Sequence, residues 1–296
     1  MSGRPAGTPE VILHLGAHRT GTTLLQKVIA RNRSALGERG VKAYVSGEDF
    51  CWRIRWLAEN ENLLRRPETA RGTLQWPGGW EKILISEENV FCSAHEAPLT
   101  RLYAERTRRM EVLREMFHPC RVRVLFYLRE YAGFVESCYG KYVRYELFRG
   151  EGPRSFASYI GEVGGAPEDF TWNPVLGALR EVFGHDNLIV GVYESLKARG
   201  PEEYARVFFR RAGIRPEGLD MGCRPKRVNP SSSRLALRVI RWLGRWVSGG
   251  AYRRLAEVVM AVDGRAGLER PRYFEPETRK TLNELYARDC QSIFIE

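Results

Sequence analysis

The segment that most constrains the fold is VILHLGAHRTGTT, residues 11–23. Val11 to Leu15 is an apolar run of the length of a buried strand. Gly16 to Gly21 is a turn, and from Thr22 to Leu36 the residues Leu24, Leu25, Val28, Ile29 and Leu36 recur at helical spacing. Strand, glycine loop and helix in that order bring backbone N–H groups and the positive end of a helix dipole to one point. Such a loop holds a phosphate or similar oxyanion without help from a metal.

Further runs with the length of buried strands are Lys82 to Ser86 (KILIS), Val122 to Leu128 (VRVLFYL) and Leu188 to Tyr193 (LIVGVY). Helical stretches at Ala97 to Phe117, Tyr131 to Phe148 and Pro201 to Ala212 separate them, the last opening with proline at a first helical position. This alternation predicts an α/β fold, a P-loop-like parallel β-sheet flanked by helices on both faces. Asp49 to Trp80 departs from the rhythm: it carries Trp52, Trp56, Trp76 and Trp80 with Gly72, Pro77, Gly78 and Gly79, and reads as an inserted segment of the kind that shapes substrate pockets. From Arg224 onward no strand is expected. Pro225 and Pro230 punctuate a loop, followed by an amphipathic helix at Ser231 to Val247 and another at Pro276 to Phe294. The expected organisation is a single domain over 1–296, with a core at 11–214, the Trp-rich insertion at 49–80 and a helical C-terminal extension at 224–296.

Composition narrows the partners. With 47 Lys and Arg against 36 Asp and Glu the chain carries a formal +11, which favours anionic ligands: nucleic acid, anionic lipid, acidic glycan or phosphate-bearing molecules. No RNP-like, zinc-finger or helix-turn-helix pattern supports nucleic acid, so none is expected as a partner. The six cysteines (Cys51, Cys92, Cys120, Cys138, Cys223 and Cys290) include no pair at metal-ligand spacing, so no metal is expected. Met1 to Glu10 lacks the apolar core of a signal peptide and no apolar run approaches the ~20 residues of a membrane span, which points to a reducing cytoplasmic location with free thiols.

Three places can carry chemistry. The loop Gly16-Ala17-His18-Arg19-Thr20-Gly21-Thr22-Thr23 has Walker A spacing, but Thr22 stands where that motif needs Lys, and the basic residue is Arg19, before the second glycine. That is a poor fit to ATP hydrolysis. The strand at 122–128 runs into Arg129, with Ser137 eight residues on; ligands of open α/β sheets bind outside the carboxyl ends of strands, which would bring both near the loop. An Arg fork and a Ser hydroxyl suit a second phosphate. The acidic pair Glu87-Glu88 follows the strand Lys82 to Ser86 and falls at the same sheet edge, and adjacent strand-end side chains point oppositely. Blander readings stand beside these: a joining turn, a solvated helix start and a helix-capping acidic pair.

Together the three places resemble the sulfotransferases. LHLGAHRTGTTLLQ is similar to that family's 5′-phosphosulfate loop, VLFYLREYAGFVESCYGKYV to its 3′-phosphate strand and helix, and LIVGVYESLKA with Ala212-Gly213-Ile214 to its strand ending in Tyr-Glu. KRVNPSSS, residues 226–233, resembles the late basic segment of bacterial members. The resemblance implies that Arg19, Thr20, Gly21, Thr22 and Thr23 hold the phosphosulfate of 3′-phosphoadenosine 5′-phosphosulfate, that Arg129 and Ser137 hold its 3′-phosphate, and that Tyr193 sits near the adenine. Arg19 replaces the Lys of many members, Leu24 an aromatic of the cytosolic enzymes, and their C-terminal Arg-Lys-Gly motif is missing, with Lys226 and Arg227 as substitutes. These departures place the chain nearer the bacterial and carbohydrate enzymes. Sulfuryl transfer also needs a base for the acceptor hydroxyl: Glu88 is preferred, with Glu87 and His18 as the other candidates.

The implied acceptor is a small molecule or glycan, with an anionic or membrane-associated one left open by the basic helix at 231–247, where Arg234, Arg238, Arg241 and Arg245 recur at spacings of three and four. A solvated arginine face over a packed apolar stripe is its plainer reading. Two other functions compete. One is a P-loop kinase in which Ser86-Glu87-Glu88 contacts magnesium; the other is a non-catalytic anion-binding module.

Overall fold

The protein is described by a computed structural model covering residues 8–75, 78–90, 107–163, 171–222, 233–266 and 272–295. Lys226, Arg227, Trp76, His95, Cys92 and Cys223 lie outside these residues. The chain divides into two compact units. The first comprises Met1–Ser93, Thr100–Arg129 and Trp172–Arg224; the second comprises Ala94–Leu99, Glu130–Thr171 and Pro225–Glu296.

The first unit holds the sheet. Its strands are β1 (Glu10–His14), β2 (Val41–Val45), β3 (Lys82–Ser86), β4 (Arg121–Leu128) and β5 (Leu188–Val192). They are all parallel and stand in the order β2-β3-β1-β4-β5. β1 is central, which is why its residues are apolar on both faces, with Val11, Ile12 and Leu13 almost wholly out of water. Helices α1 (Thr22–Arg31) and α9 (Glu194–Arg211) cover one face: Leu25, Val28, Ile29, Tyr204, Phe208 and Phe209 share a core with Ile12, Leu125 and Tyr127. On the opposite face Phe126 meets Trp172 edge to face at 5.9 Å, just before α8 (Asn173–Phe183). The α/β class with a parallel sheet and helices on both faces is therefore the fold observed.

The chain differs from its sequence-based outline at three elements. β2 was not anticipated, yet it alternates cleanly, with Val41, Ala43 and Val45 inward and Lys42 and Tyr44 half-exposed. The helix expected over Thr22 to Leu36 breaks at Asn32 into α1 and a single turn, α2 (Arg33–Gly37). The buried Asn32 side chain explains the break: its Nδ2 donates to the Val28 carbonyl at 2.8 Å and the Asp220 carbonyl at 2.9 Å, while its Oδ1 accepts from the Asp220 N–H at 2.7 Å. The helix at Pro201 begins earlier, at Glu194, but Gly200 (φ +82°) interrupts it so that Pro201 starts a fresh helical segment. The Trp-rich segment forms α3 (Asp49–Ala58), α4 (Glu61–Arg65) and a short 3₁₀ turn at Pro67–Ala70. Beyond it, α5 (Thr107–Met116) precedes β4.

The second unit is helical in its described residues: α6 (Tyr131–Arg149), α7 (Phe156–Val163), α10 (Arg234–Leu243), α11 (Gly249–Ala266) and α12 (Pro276–Ile295). Tyr139, Val143, Leu147 and Tyr159 pack with Leu237, Ile240, Tyr252 and Ala256 in its core. Glu136 on α6 accepts from the N–H groups of Tyr273 (2.7 Å) and Phe274 (3.3 Å) and pairs with Arg279 on α12.

Candidate functional site

The site lies in the first unit at the carboxyl ends of β1, β3 and β4. After β1 the chain stays beside β4, with Leu15 N–H donating to Leu125 O (3.1 Å) and Ala17 N–H to Tyr127 O (2.9 Å), before it curls into α1. Three left-handed backbone positions make the curl: Gly16 (φ +79°), Arg19 (φ +65°) and Gly21 (φ +83°). Space as well as φ demands the glycines. A Cβ on Gly16 would sit 3.0 Å from the Glu88 Cβ, and one on Gly21 would sit 3.3 Å from Leu196 and 3.6 Å from Tyr193. Arg19 has no such freedom, so its conformation costs about 1–2 kcal/mol that the surrounding structure must offset.

Hydrogen bonds to the loop's carbonyls provide that offset. Thr20 Oγ1 donates to Ala17 O (2.6 Å), Tyr204 Oη to Thr20 O (2.8 Å), and a terminal nitrogen of Arg129 to Arg19 O (2.7 Å). With its carbonyls held in this way the loop leads into the N-terminus of α1, where no side chain caps the helix and the first turn carries no acidic residue. This end is electropositive. Thr22 is buried there and Thr23 is exposed.

Arg129 ends β4. Its guanidinium lies 4.8 Å from the centre of the Tyr193 ring, Trp172 donates to its carbonyl at 3.0 Å, and its Nε is buried without a hydrogen-bond partner. A buried, unpartnered guanidinium N–H is costly unless an anion satisfies it. Lys197 also stands over the Tyr193 ring, 5.8 Å from its centre.

The two glutamates after β3 turn to different partners, Glu88 opening a short 3₁₀ turn (Glu88–Val90). Glu87 is buried and accepts from Ser46 Oγ (3.2 Å), Asn89 N–H (3.0 Å) and Asn89 Nδ2 (2.7 Å). His18 reaches the same group, with its Nε2 3.4 Å from Asn89 Oδ1. Glu88 turns the other way, onto the loop and α1: Thr22 Oγ1 donates to one carboxylate oxygen (3.1 Å) and Gln26 Nε2 to the other (2.7 Å). Burial raises the Glu88 pKa, the Glu87 charge adds to the rise, and the Glu88 N–H, Thr22 and Gln26 partly oppose it. The result is a carboxylate more basic than usual, fixed against the glycine loop.

Arg19, Thr20, Gly21, Thr22, Arg129, Tyr193 and Glu88 are thus gathered in one place. Glu87 and His18 are drawn into a separate hydrogen-bonded group with Asn89 and Ser46. Ser137 is a buried residue of α6 in the second unit, and Lys226 and Arg227 fall outside the described residues. Sequence reasoning missed Gln26, Asn89, Ser46 and Tyr204. Gln26 was within reach, four residues after Thr22 on the same helical face; Tyr204, 184 positions from the carbonyl it bonds, left no local signal. It also missed the buried pair of His14 Nδ1 and Ser86 Oγ, 2.8 Å apart, in which burial lowers the His14 pKa to about 3.

Among the described residues no group of three or more His, Cys, Asp or Glu side chains could hold a metal ion. No helix of the described residues is long and apolar enough to cross a membrane. No family model matches the chain, and no curated protein matches it. Among solved structures it is similar to a sulfotransferase from Alicyclobacillus acidocaldarius, at 11% identity and a TM-score of 0.44, over 87% of this chain and 96% of that one. At that level the likeness is loose.

Proposed function

We propose that the protein is a sulfotransferase that moves a sulfuryl group from 3′-phosphoadenosine 5′-phosphosulfate to a hydroxyl or amine of a carbohydrate, lipid-linked sugar or other metabolite. The observation that carries this reading is the bond between Thr22 of the anion loop and Glu88, a carboxylate made more basic by burial. An anion cradle joined directly to a base is what group transfer from an anionic donor to a hydroxyl requires.

The residues fit the donor. The uncapped α1 terminus and the unpartnered Arg129 Nε each leave a place for an anionic oxygen. When bound, the donor supplies an activated sulfuryl group on a phosphate leaving group. Arg19, Thr20, Gly21, Thr22 and Thr23 bind the phosphosulfate end, Arg129 the 3′-phosphate, and the Tyr193 ring the adenine. Glu88 accepts the proton of the acceptor hydroxyl as its oxygen bonds to sulfur and the bond from sulfur to the phosphate oxygen breaks. Arg19 and the first N–H groups of α1 carry the charge left on that oxygen.

A kinase is less well supported, because Thr22 replaces the Walker lysine and Ser86 is turned inward onto His14. Isothermal titration with 3′-phosphoadenosine 5′-phosphate tests the reading. Wild-type protein is expected to bind it and Arg129→Ala to lose most of the affinity; no heat with wild type, or full binding by the variant, would sink the assignment.

A further inference from the structure

We propose that the second unit docks on an anionic lipid surface through α10 and the turn that follows it. From Ser233 to Val247 the chain carries Arg234, Arg238, Arg241 and Arg245 and no Asp or Glu, whereas Arg253 further on pairs with Glu257 at 3.0 Å. Helix α10 buries Ala236, Leu237 and Ile240. The helical winding continues past Leu243 through Arg245 N–H to Trp242 O (3.1 Å) and Val247 N–H to Leu243 O (2.9 Å). At about 100° per residue, Arg238 and Arg241 fall about 60° apart beside the buried face, and Leu235 and Trp242 about 20° apart next to them; Arg245 and Trp246 follow in the turn after the helix. This second apolar stripe is in water: Leu235 is 62% exposed, Trp242 57% and Trp246 75%.

The arginines meet in a pocket of about 420 Å³, in which Arg238, Arg241, Arg245 and Trp242 face Gly152 and Pro153. Close backbone packing builds it. A Cβ on Gly244 would come within 3.2 Å of Gly152 Cα, one on Gly150 within 3.0 Å of Gly249 Cα, and Gly249 N–H donates to Gly150 O at 3.2 Å. Among the described residues no carboxylate pairs with Arg238, Arg241 or Arg245. Guanidinium forks gathered without a counter-charge suit a phosphate oxyanion.

The ring of exposed apolar groups decides the source of that phosphate. A soluble polyanion would use the arginine stripe and leave Leu235 and Trp246 in water, whereas a bilayer takes both, with phosphates in the pocket and Leu and Trp at the headgroup boundary. Leu255, Val258 and Val262 on α11, in the same unit, are exposed as well.

The test is co-sedimentation of the full chain with phosphatidylcholine vesicles and with an equal mixture of phosphatidylcholine and phosphatidylglycerol, following tryptophan emission. The mixed vesicles are expected to pellet the protein with a blue shift, and pure phosphatidylcholine to leave it in solution. Arg238→Gln with Arg241→Gln should lower partitioning by about fivefold per arginine. Trp242→Ser with Trp246→Ser should lower it too and remove the blue shift, with unchanged circular dichroism and unchanged 3′-phosphoadenosine 5′-phosphate binding. The proposal is overturned by failure to bind mixed vesicles, by undiminished vesicle binding of the tryptophan variant, by release with soluble glycerol phosphate at millimolar level, or by ultracentrifugation showing a lipid-free dimer abolished by the same tryptophan changes.

Discussion

Thr22 and Glu88 are 66 positions apart in the chain, and their hydrogen bond ties the mouth of the anion loop to the end of the neighbouring strand. Glu88→Gln should therefore keep donor binding and lower turnover by about 10²- to 10⁴-fold, the range for loss of a general base. The sign of its pH effect follows from the raised pKa: Glu88 stays protonated to a higher pH than an ordinary glutamate, so the rate should climb with pH through that raised value. A pH–rate profile of Glu88→Gln lacking this limb agrees with the assignment, and an unchanged limb contradicts it. At Gly21, alanine would need φ +83° and meet Leu196 at 3.3 Å, so Gly21→Ala should weaken donor binding and lower stability by about 1–2 kcal/mol, measurable by titration and urea unfolding. At this scale the sequence placed both Glu87 and Glu88 at the end of β3, because the apolar run before them is a local signal. It could not tell that Glu87 would be claimed by Ser46, 41 positions away, a contact made only by folding.

Among the elements, the apolar runs that became β1, β3 and β4 were legible because a parallel strand covered on both faces has to be apolar throughout, and β5, at one sheet edge, because its sequence LIVGV is an unbroken apolar run. β2 was overlooked for the opposite reason: at the sheet edge it needs only alternate apolar residues, and five such residues are a faint signal. The break at Asn32 depends on Asp220, 188 positions away, so nothing near Asn32 announces it. Asn32→Ala would leave the N–H and C=O of Asp220 without these bonds. A loss of about 1–3 kcal/mol in denaturant unfolding is expected, and no change would mean that the bonds are idle.

For the molecule as a whole, the +11 charge is unevenly distributed, with two arginines at the loop and four more between Arg234 and Arg245 with no acidic residue among them. Global stability should also depend on acid through His14. Its folded pKa, about 3, lies below the ordinary 6.5, so the unfolded chain binds the proton more readily. The contribution is whole above pH 6.5 and is lost as pH falls toward 3, at about 1.4 kcal/mol per pH unit. Urea midpoints should fall accordingly between pH 7 and pH 5, and His14→Gln should flatten that slope.

The touching backbones beside the arginine pocket carry a lesson for anyone mutating this chain. Gly150 and Gly244 belong to surface turns, where tolerance is the usual expectation, yet each has backbone at 3.0–3.2 Å where a methyl group would go. In a saturation library they should be as intolerant as buried leucines, and a survey that sorts positions by solvent exposure alone would file both among the freely variable sites.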